Sequence, residues 1–287
     1  MVDQSKSGID TLTVAFIGSG VMGEAMIKGL LSQELLPPER IIASDVRPER
    51  GEELAAQYKI RPSVHNRQAA AEADVVVLAV KPQVMHKVLV ELSGAIRPTA
   101  LVLSIAAGIS VQTIVDGLGV GAVVRAMPNT PAQIGMGMTV WTATAGVTAT
   151  QRDTARAILA ALGDEVYTDE EGDLDRATAL SGTGPAYVFL FLEALVDAGV
   201  HLGFSRHVAE RLVLQTMRGA VEYAFRSHRH FATLRNQVTS PGGTAAAAIY
   251  QLEKGMLRTV LSRAIWAAYQ RSIELGRGED NRSGSEL

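Results

Sequence analysis

The chain contains no cysteine among its 287 residues. That excludes disulfides, thiolate nucleophiles and cysteine-based metal centres, and it fits a reducing compartment. An excess of one charge is also missing. There are 27 basic and 30 acidic residues, a net charge of -3, with lysine and arginine scattered and not striped. This gives no electrostatic reason to expect a nucleic-acid partner. Long apolar runs are absent as well. Val75–Val80 and Leu101–Ala107 are far too short to span a bilayer. Residues 1–10 are polar and read as a loose leader without the apolar core of a signal peptide. A soluble cytoplasmic protein with no membrane partner is expected. His65, His86, His201, His207, His228 and His230 form no metal-ligand spacing, so no metal is expected. No Ser-His-Asp arrangement is legible, and neither a repeat nor a low-complexity tract is evident.

What the chain has is apolar residues, at 47%, enough for a sizeable core in one large domain or two ordinary ones. The first part alternates strands and helices. Leu12–Ile17, Ile41–Ala43, Val75–Val80, Leu101–Ile105 and Val123–Ala126 read as strands, and the continuous apolar runs suit parallel strands covered on both faces. Met22–Ser32, Pro48–Gln57 and Gln151–Leu162 read as helices, with shorter strands at Met136–Trp141 and Val166–Thr168. The alternation predicts an α/β, doubly wound parallel sheet. The character changes near Glu170–Asp173. Tyr187–Leu202, Arg206–Ser227, Phe231–Gln237, Thr244–Lys254 and Leu257–Leu275 all read as helices. Tyr187–Leu202 is apolar nearly all round, which predicts burial on all sides and, in so small a helical segment, a second subunit. The expected division is 1–170, 171–275, and a polar tail, 276–287, read as disordered.

Three segments carry chemistry. Gly18, Gly20 and Gly23 follow a predicted strand and open a predicted helix, the pattern that seats a dinucleotide pyrophosphate. The residue that reads the adenosine ribose should end the next strand. Asp45 stands there and favours a free 2′-hydroxyl, while Arg47 suits a 2′-phosphate, and a solvated Asp-Arg turn gives the same pattern. Lys81, after Ala79-Val80 and before Pro82, either reaches a ligand beyond its strand end or caps a surface turn. Ser104–Gly108 suits a flat ring close to backbone, or close helix–sheet packing. Asn129, in a turn fixed by Pro128 and Pro131, offers an amide to a ligand or serves only the turn. In Thr239–Thr244, Ser240, Gly242 and Gly243 supply N–H groups before a helix, a seat for a carboxylate or phosphate, or simply a helix start. The acidic run Asp169-Glu170-Glu171 reads as a solvated linker.

The segments FIGSGVMGEAM (16–26), LAVKPQ (78–83), SIAAGIS (104–110), RAMPNTPA (125–132), SGTGPAYVF (181–189) and VTSPGGT (238–244) together resemble the pyrroline-5-carboxylate reductase family over about residues 12–275. The resemblance implies a Rossmann-type domain, then an all-α helical domain that builds an interlocked homodimer, with dimers that often assemble into a decamer. It implies reduction of L-1-pyrroline-5-carboxylate to L-proline with NADPH or NADH. It places Ile17, Gly18, Ser19, Gly20, Val21, Met22, Ser44, Asp45, Asn66, Ala79, Val80, Lys81, Pro82, Ile105, Ala106 and Ala107 along the cofactor, with Met127 near the nicotinamide. Gln237 approaches from the helical domain. Ser240, Gly242, Gly243 and Thr244 hold the substrate carboxylate, and Glu171 lies near the substrate. The family usually carries a threonine where this chain has Ala245. That departure leaves two alternatives: a reductase of a related cyclic imine carboxylate, or a catalytically weak NAD(P)-binding sensor or scaffold.

Overall fold

The computed structural model describes residues 8–276. Residues 1–7 of the expected leader and 277–287 of the expected tail lie outside the described residues. Apolar tetrapeptides make the central strands: β1 (Val14–Ile17), β2 (Ile41–Ser44), β4 (Val75–Leu78) and β5 (Leu101–Ser104) are buried at every position. With β3 (Arg61–Ser63), β6 (Val123–Met127), β7 (Gly137–Ala143) and β8 (Gly163–Tyr167) they form a sheet in the order β3-β2-β1-β4-β5-β6-β7-β8. Every pairing is parallel except β6 with β7.

Because strand side chains alternate, each buried strand feeds two cores. Val14, Phe16, Val75 and Val77 pack with Met26, Ile27 and Leu30 of α1 (Val21–Ser32) and with Ile158 and Leu159 of α6 (Ala149–Ala160). Ala15, Ile17, Val76 and Leu78 pack on the other face. Their partners are α3 (Asn66–Glu72), α4 (Pro82–Leu92) and α5 (Val111–Leu118). Helix α2 (Pro48–Tyr58) contributes Leu54 to the first core. The chain reverses its progress across the sheet at β1, which β2 and β4 flank, and ligands of open α/β sheets bind beyond strand ends at such a switch point.

Several strands differ from expectation. Residues 79 and 80 leave the sheet, so β4 stops at Leu78. Strand β3, Arg-Pro-Ser, was not legible, since it is a short edge strand with exposed polar residues, where proline is tolerated. Strand β8 begins at Gly163, ahead of the expected Val166, because its Asp164 and Glu165 hide the pattern.

Helical structure follows through α7 (Asp173–Ala177), a π-helical turn (Thr178–Gly182), α8 (Gly184–His201), α9 (Arg206–Ser227), α10 (Phe231–Gln237), α11 (Thr244–Lys254) and α12 (Leu257–Gly276). Gly184–Ala267 is a second compact unit. The chain through Thr183, together with the part from Ala268 on, is the first. The expected burial of the apolar helix on all sides is not achieved within one chain. Of α8 only Val196 is buried, while Phe189 is 63% and Leu190 68% exposed. The helical run Asp173–His201 is also long and apolar enough, by length and composition, to cross a membrane. The sequence reading missed this because charged and glycine residues interrupt each apolar stretch.

Candidate active site

Strand β1 hands over to α1 at Gly18, whose φ of +90° is a conformation L side chains rarely adopt. A Cβ there would lie 2.7 Å from Val80 Cγ1, so the ends of β1 and β4 approach only because Gly18 has no side chain. Its N–H donates to the Ser44 carbonyl at 2.8 Å. Gly23 lets the first helical turn sit on the loop, since a Cβ there would meet Gly18 O at 2.8 Å. Gly20 is the N-cap of α1, with no side-chain cap, and its Cβ direction meets no heavy atom within 4 Å. The first N–H groups of α1 and the space before them therefore suit the diphosphate of a dinucleotide.

Around this loop stand the other strand ends. Asp45, 8% exposed, follows β2, and its carboxylate accepts from Ser19 N–H at 3.2 Å and from the Arg47 N–H and Nε at 3.1 Å each. Burial opposes its charge, but these bonds outweigh burial and hold its carboxyl below the usual carboxylate range. Asp45 therefore stands at the expected strand end already engaged with the glycine loop and with Arg47. Asn66 is likewise engaged by the fold. Its Oδ1 accepts from Ser44 Oγ at 2.8 Å and its Nδ2 donates to Glu91 at 3.0 Å, so the amide braces the end of β2. Ala79 and Val80 are half-buried beside Gly18, and Lys81 is exposed at the N-cap of α4, ahead of Pro82. Ile105 ties the end of β5 to β4 through the Leu78 carbonyl at 3.1 Å, with Ala106 buried and Ala107 half-buried.

Two further expected site residues have partners within the fold. Asn129 accepts from Met138 N–H at 2.9 Å and donates to Ser181 O at 3.0 Å, which fastens the β6–β7 connection to the π-helical turn. Glu171, expected near the substrate or in a solvated linker, bonds Arg125 at 2.7 Å and accepts from Val111 N–H at 2.8 Å. It compensates a buried guanidinium and caps α5, both structural tasks. Met127 stays half-buried at the end of β6, against Gly182.

The sequence reading missed Arg50. Its Nε donates to the Ser19 carbonyl at 3.0 Å, and it also pairs with Glu24 and with Glu53. Tyr58 donates its hydroxyl to Glu24 at 2.9 Å. The signal was Glu24 itself: a carboxylate in the first turn of a helix whose start suits an anion would repel that anion unless a cation stood beside it.

The second unit carries its own helix start. Gly242 has φ +73°, and Gly243 is the N-cap of α11 with no side-chain cap. A Cβ on Gly243 would lie 2.6 Å from Ser240 Oγ. Ser240 O receives the Gly243 N–H at 3.0 Å, closing a tight turn before Thr244. Ser240, Gly242 and Thr244 are exposed, Ala245 is half-buried just inside the helix, and Gln237 is exposed at the end of α10. The turn suits a carboxylate on the α11 N–H groups.

Comparison with known proteins agrees with both halves. Residues 171–275 match the family model for pyrroline-5-carboxylate reductase dimerisation. Residues 13–108 match that of NADP oxidoreductase, coenzyme F420-dependent. The pyrroline-5-carboxylate reductase of Synechocystis is 43% identical over 93% of this chain and 99% of its own length. That of Pseudomonas aeruginosa is 43% identical over 93% and 98%. The crystal structure of the Plasmodium falciparum pyrroline carboxylate reductase with NADP bound superposes with a TM-score of 0.86, at 31% identity, over 94% of this chain and 100% of that one. Likeness of this order across nearly the whole length, in sequence and in backbone, means that the chain belongs to the pyrroline-5-carboxylate reductase family.

Proposed function

We propose that the protein reduces L-1-pyrroline-5-carboxylate to L-proline with NADH or NADPH. The observation that carries the reading is the pair of uncapped glycine helix starts, Gly20 in one unit and Gly243 in the other. The first suits a diphosphate and the second a carboxylate, the two anions this reaction brings together. Gly20, Val21 and Met22 offer the cofactor the free N–H groups of the helix start, Gly18, Ser19 and Gly23 shape the loop around it, and Ala79–Pro82 and Ile105–Ala107 stand beside it. When bound, the reduced nicotinamide supplies a hydride to the C=N carbon of the imine. Ser240, Gly242, Gly243 and Thr244 hold and orient the substrate carboxylate, so most of the catalysis is positioning. Ala245 has no proton to give. Our reading is that the ring nitrogen arrives protonated as the iminium, so that hydride addition alone completes the amine, with water or the Thr244 hydroxyl as the alternative donors.

The protein works as a homodimer in the cytoplasm, and dimers build larger assemblies up to a decamer. The apolar exposure of α8 supports burial against a second copy over insertion in a bilayer, since 171–275 match a dimerisation model. Ala245 favours one second reading, a cofactor-binding protein with little turnover. The test is cofactor oxidation with the five-membered and six-membered imine acids. Preferential turnover of the five-membered ring supports the proposal. Preference for the six-membered ring moves the assignment to a related imine carboxylate, and cofactor binding without turnover of either supports the sensor reading.

A further inference from the structure

We infer that Arg50 is a positioning residue for the cofactor, acting through the Ser19–Gly20 peptide without touching the ligand. The inference rests on the reading that a dinucleotide binds at the glycine loop. Both backbone groups of Ser19 are held by side chains: its N–H by Asp45 at 3.2 Å and its carbonyl by Arg50 Nε at 3.0 Å. The described chain has no cis peptide bond. In a trans peptide the C=O and the next N–H point to opposite sides. Fixing Ser19 O toward α2 therefore turns the Gly20 N–H away from α2, to the side an anion must occupy.

The guanidinium is itself immobilised. One Nη pairs with Glu53 at 2.7 Å and the other with Glu24, whose remaining oxygen accepts from Tyr58 OH at 2.9 Å. The Arg50 side chain is only 15% exposed. With Nε and both Nη groups on protein acceptors, its fork has little left for a ligand phosphate. A second effect follows from Glu24, a carboxylate in the first turn of α1. Left alone it would repel a diphosphate at the same helix end, and Arg50 neutralises it there. The device thus aims one N–H and removes one unfavourable charge, and neither effect depends on a 2′-phosphate.

The test compares wild type with Arg50→Gln, Arg50→Lys and Tyr58→Phe in the full-length protein. Dissociation constants for NADH and NADPH are read by fluorescence titration. Amide hydrogen exchange of residues 18–22 is read without cofactor. Arg50→Gln should weaken both cofactors by the same factor, about tenfold or more, the scale of one lost charge-assisted hydrogen bond. The loop amides should exchange faster, and the KM for each cofactor should rise in step with its dissociation constant. Arg50→Lys, a point charge without the fork, should recover part of the affinity. Loss confined to NADPH would overturn the inference, because Arg50 would then be a direct 2′-phosphate ligand. Unchanged affinity with unchanged exchange would overturn it too. If Arg50→Gln does not fold, Tyr58→Phe decides: it removes only the hydroxyl that orients Glu24, and it must weaken both cofactors equally. Wild type that binds neither cofactor would refute the dinucleotide reading, while the exchange measurement still decides the clamp.

Discussion

At Gly20 a side chain would meet no protein atom within 4 Å, and the backbone is in an ordinary negative-φ conformation. Gly20→Val should therefore fold normally and lose NADH and NADPH affinity by about 100-fold, or about 2.7 kcal/mol. Equal affinity in the folded variant would remove the loop from the cofactor site. Asp45 makes a subtler case. Asp45→Ser releases Arg47 from its ion pair and frees the Ser19 N–H. Binding should shift toward NADPH relative to NADH by about 1–2 kcal/mol, the scale of one exposed charge contact, and absolute NADH affinity should drop as the loop loosens. A ratio that does not move would show that neither residue reads the 2′ position. Acid stability belongs to this scale too. Burial opposes the charge of Glu24, but its bonds to Arg50 and Tyr58 prevail, and Glu24 and Asp45 both ionise below the usual carboxylate range. A depressed carboxyl stabilises the fold above its unfolded pKa, about 4. That contribution is lost as pH falls through the lower folded value. Urea midpoints should fall between pH ~5 and ~3, and Glu24→Gln should flatten that fall. An identical acid limb in the variant would contradict the assignment.

The start of α11 is an element whose opening turn has no room for a side chain. With a Cβ 2.6 Å from Ser240 Oγ, Gly243→Val should displace Ser240 and raise the KM for the imine by about tenfold or more. NAD(P)H affinity should not change, and if imine kinetics also stay put, the carboxylate seat is elsewhere. Ala245→Thr adds a hydroxyl one residue inside the helix. If the substrate brings its own proton, wild-type turnover declines as pH rises through the imine pKa, and the added hydroxyl helps most on the alkaline side. A wild-type rate that is flat with pH would point to a donor other than the substrate. The β6–β7 connection tests the opposite case. Asn129→Ala should cost about 1 kcal/mol or more of stability, because a half-buried N–H and a half-buried carbonyl lose their partner. Cofactor affinity should persist, and a selective loss of affinity would restore Asn129 to the cofactor site.

For the whole molecule the decisive surface is α8. Phe189 and Leu190 are 63% and 68% exposed in one chain. Burying each against a second copy would contribute about 1.5–3 kcal/mol. Light scattering on wild type should report a dimer or a multiple of it, and Phe189→Glu with Leu190→Glu should release monomers. A wild-type monomer at micromolar concentration would defeat the dimer proposal.

The central strands were legible because doubly buried parallel strands show as unbroken apolar runs, and the glycine loop because only glycine fits its turn. The helices of the second unit were legible from composition, and their length follows local periodicity. Edge strand β3 was not, being three exposed or half-buried residues with no apolar member to alternate, and β8 was legible only from Val166 on, since its half-buried Glu165 and exposed Val166 invert the usual alternation. Side-chain roles were the least legible. Asp45, Asn66, Asn129 and Glu171 are the right types for ligand contacts, yet each meets a protein partner that lies far away in the chain or belongs to a neighbouring turn. Arg50 shows the converse, an ordinary surface-helix arginine until α2 packs beside α1 and delivers it to the Ser19 carbonyl, 31 residues away in sequence. Sequence alone determines the buried strands, the helices and the glycine turns, because those depend on residues a few positions apart. Which polar groups remain for a ligand is decided by the tertiary structure, because hydrogen bonds are satisfied in space and a buried polar group takes the partner the fold brings to it.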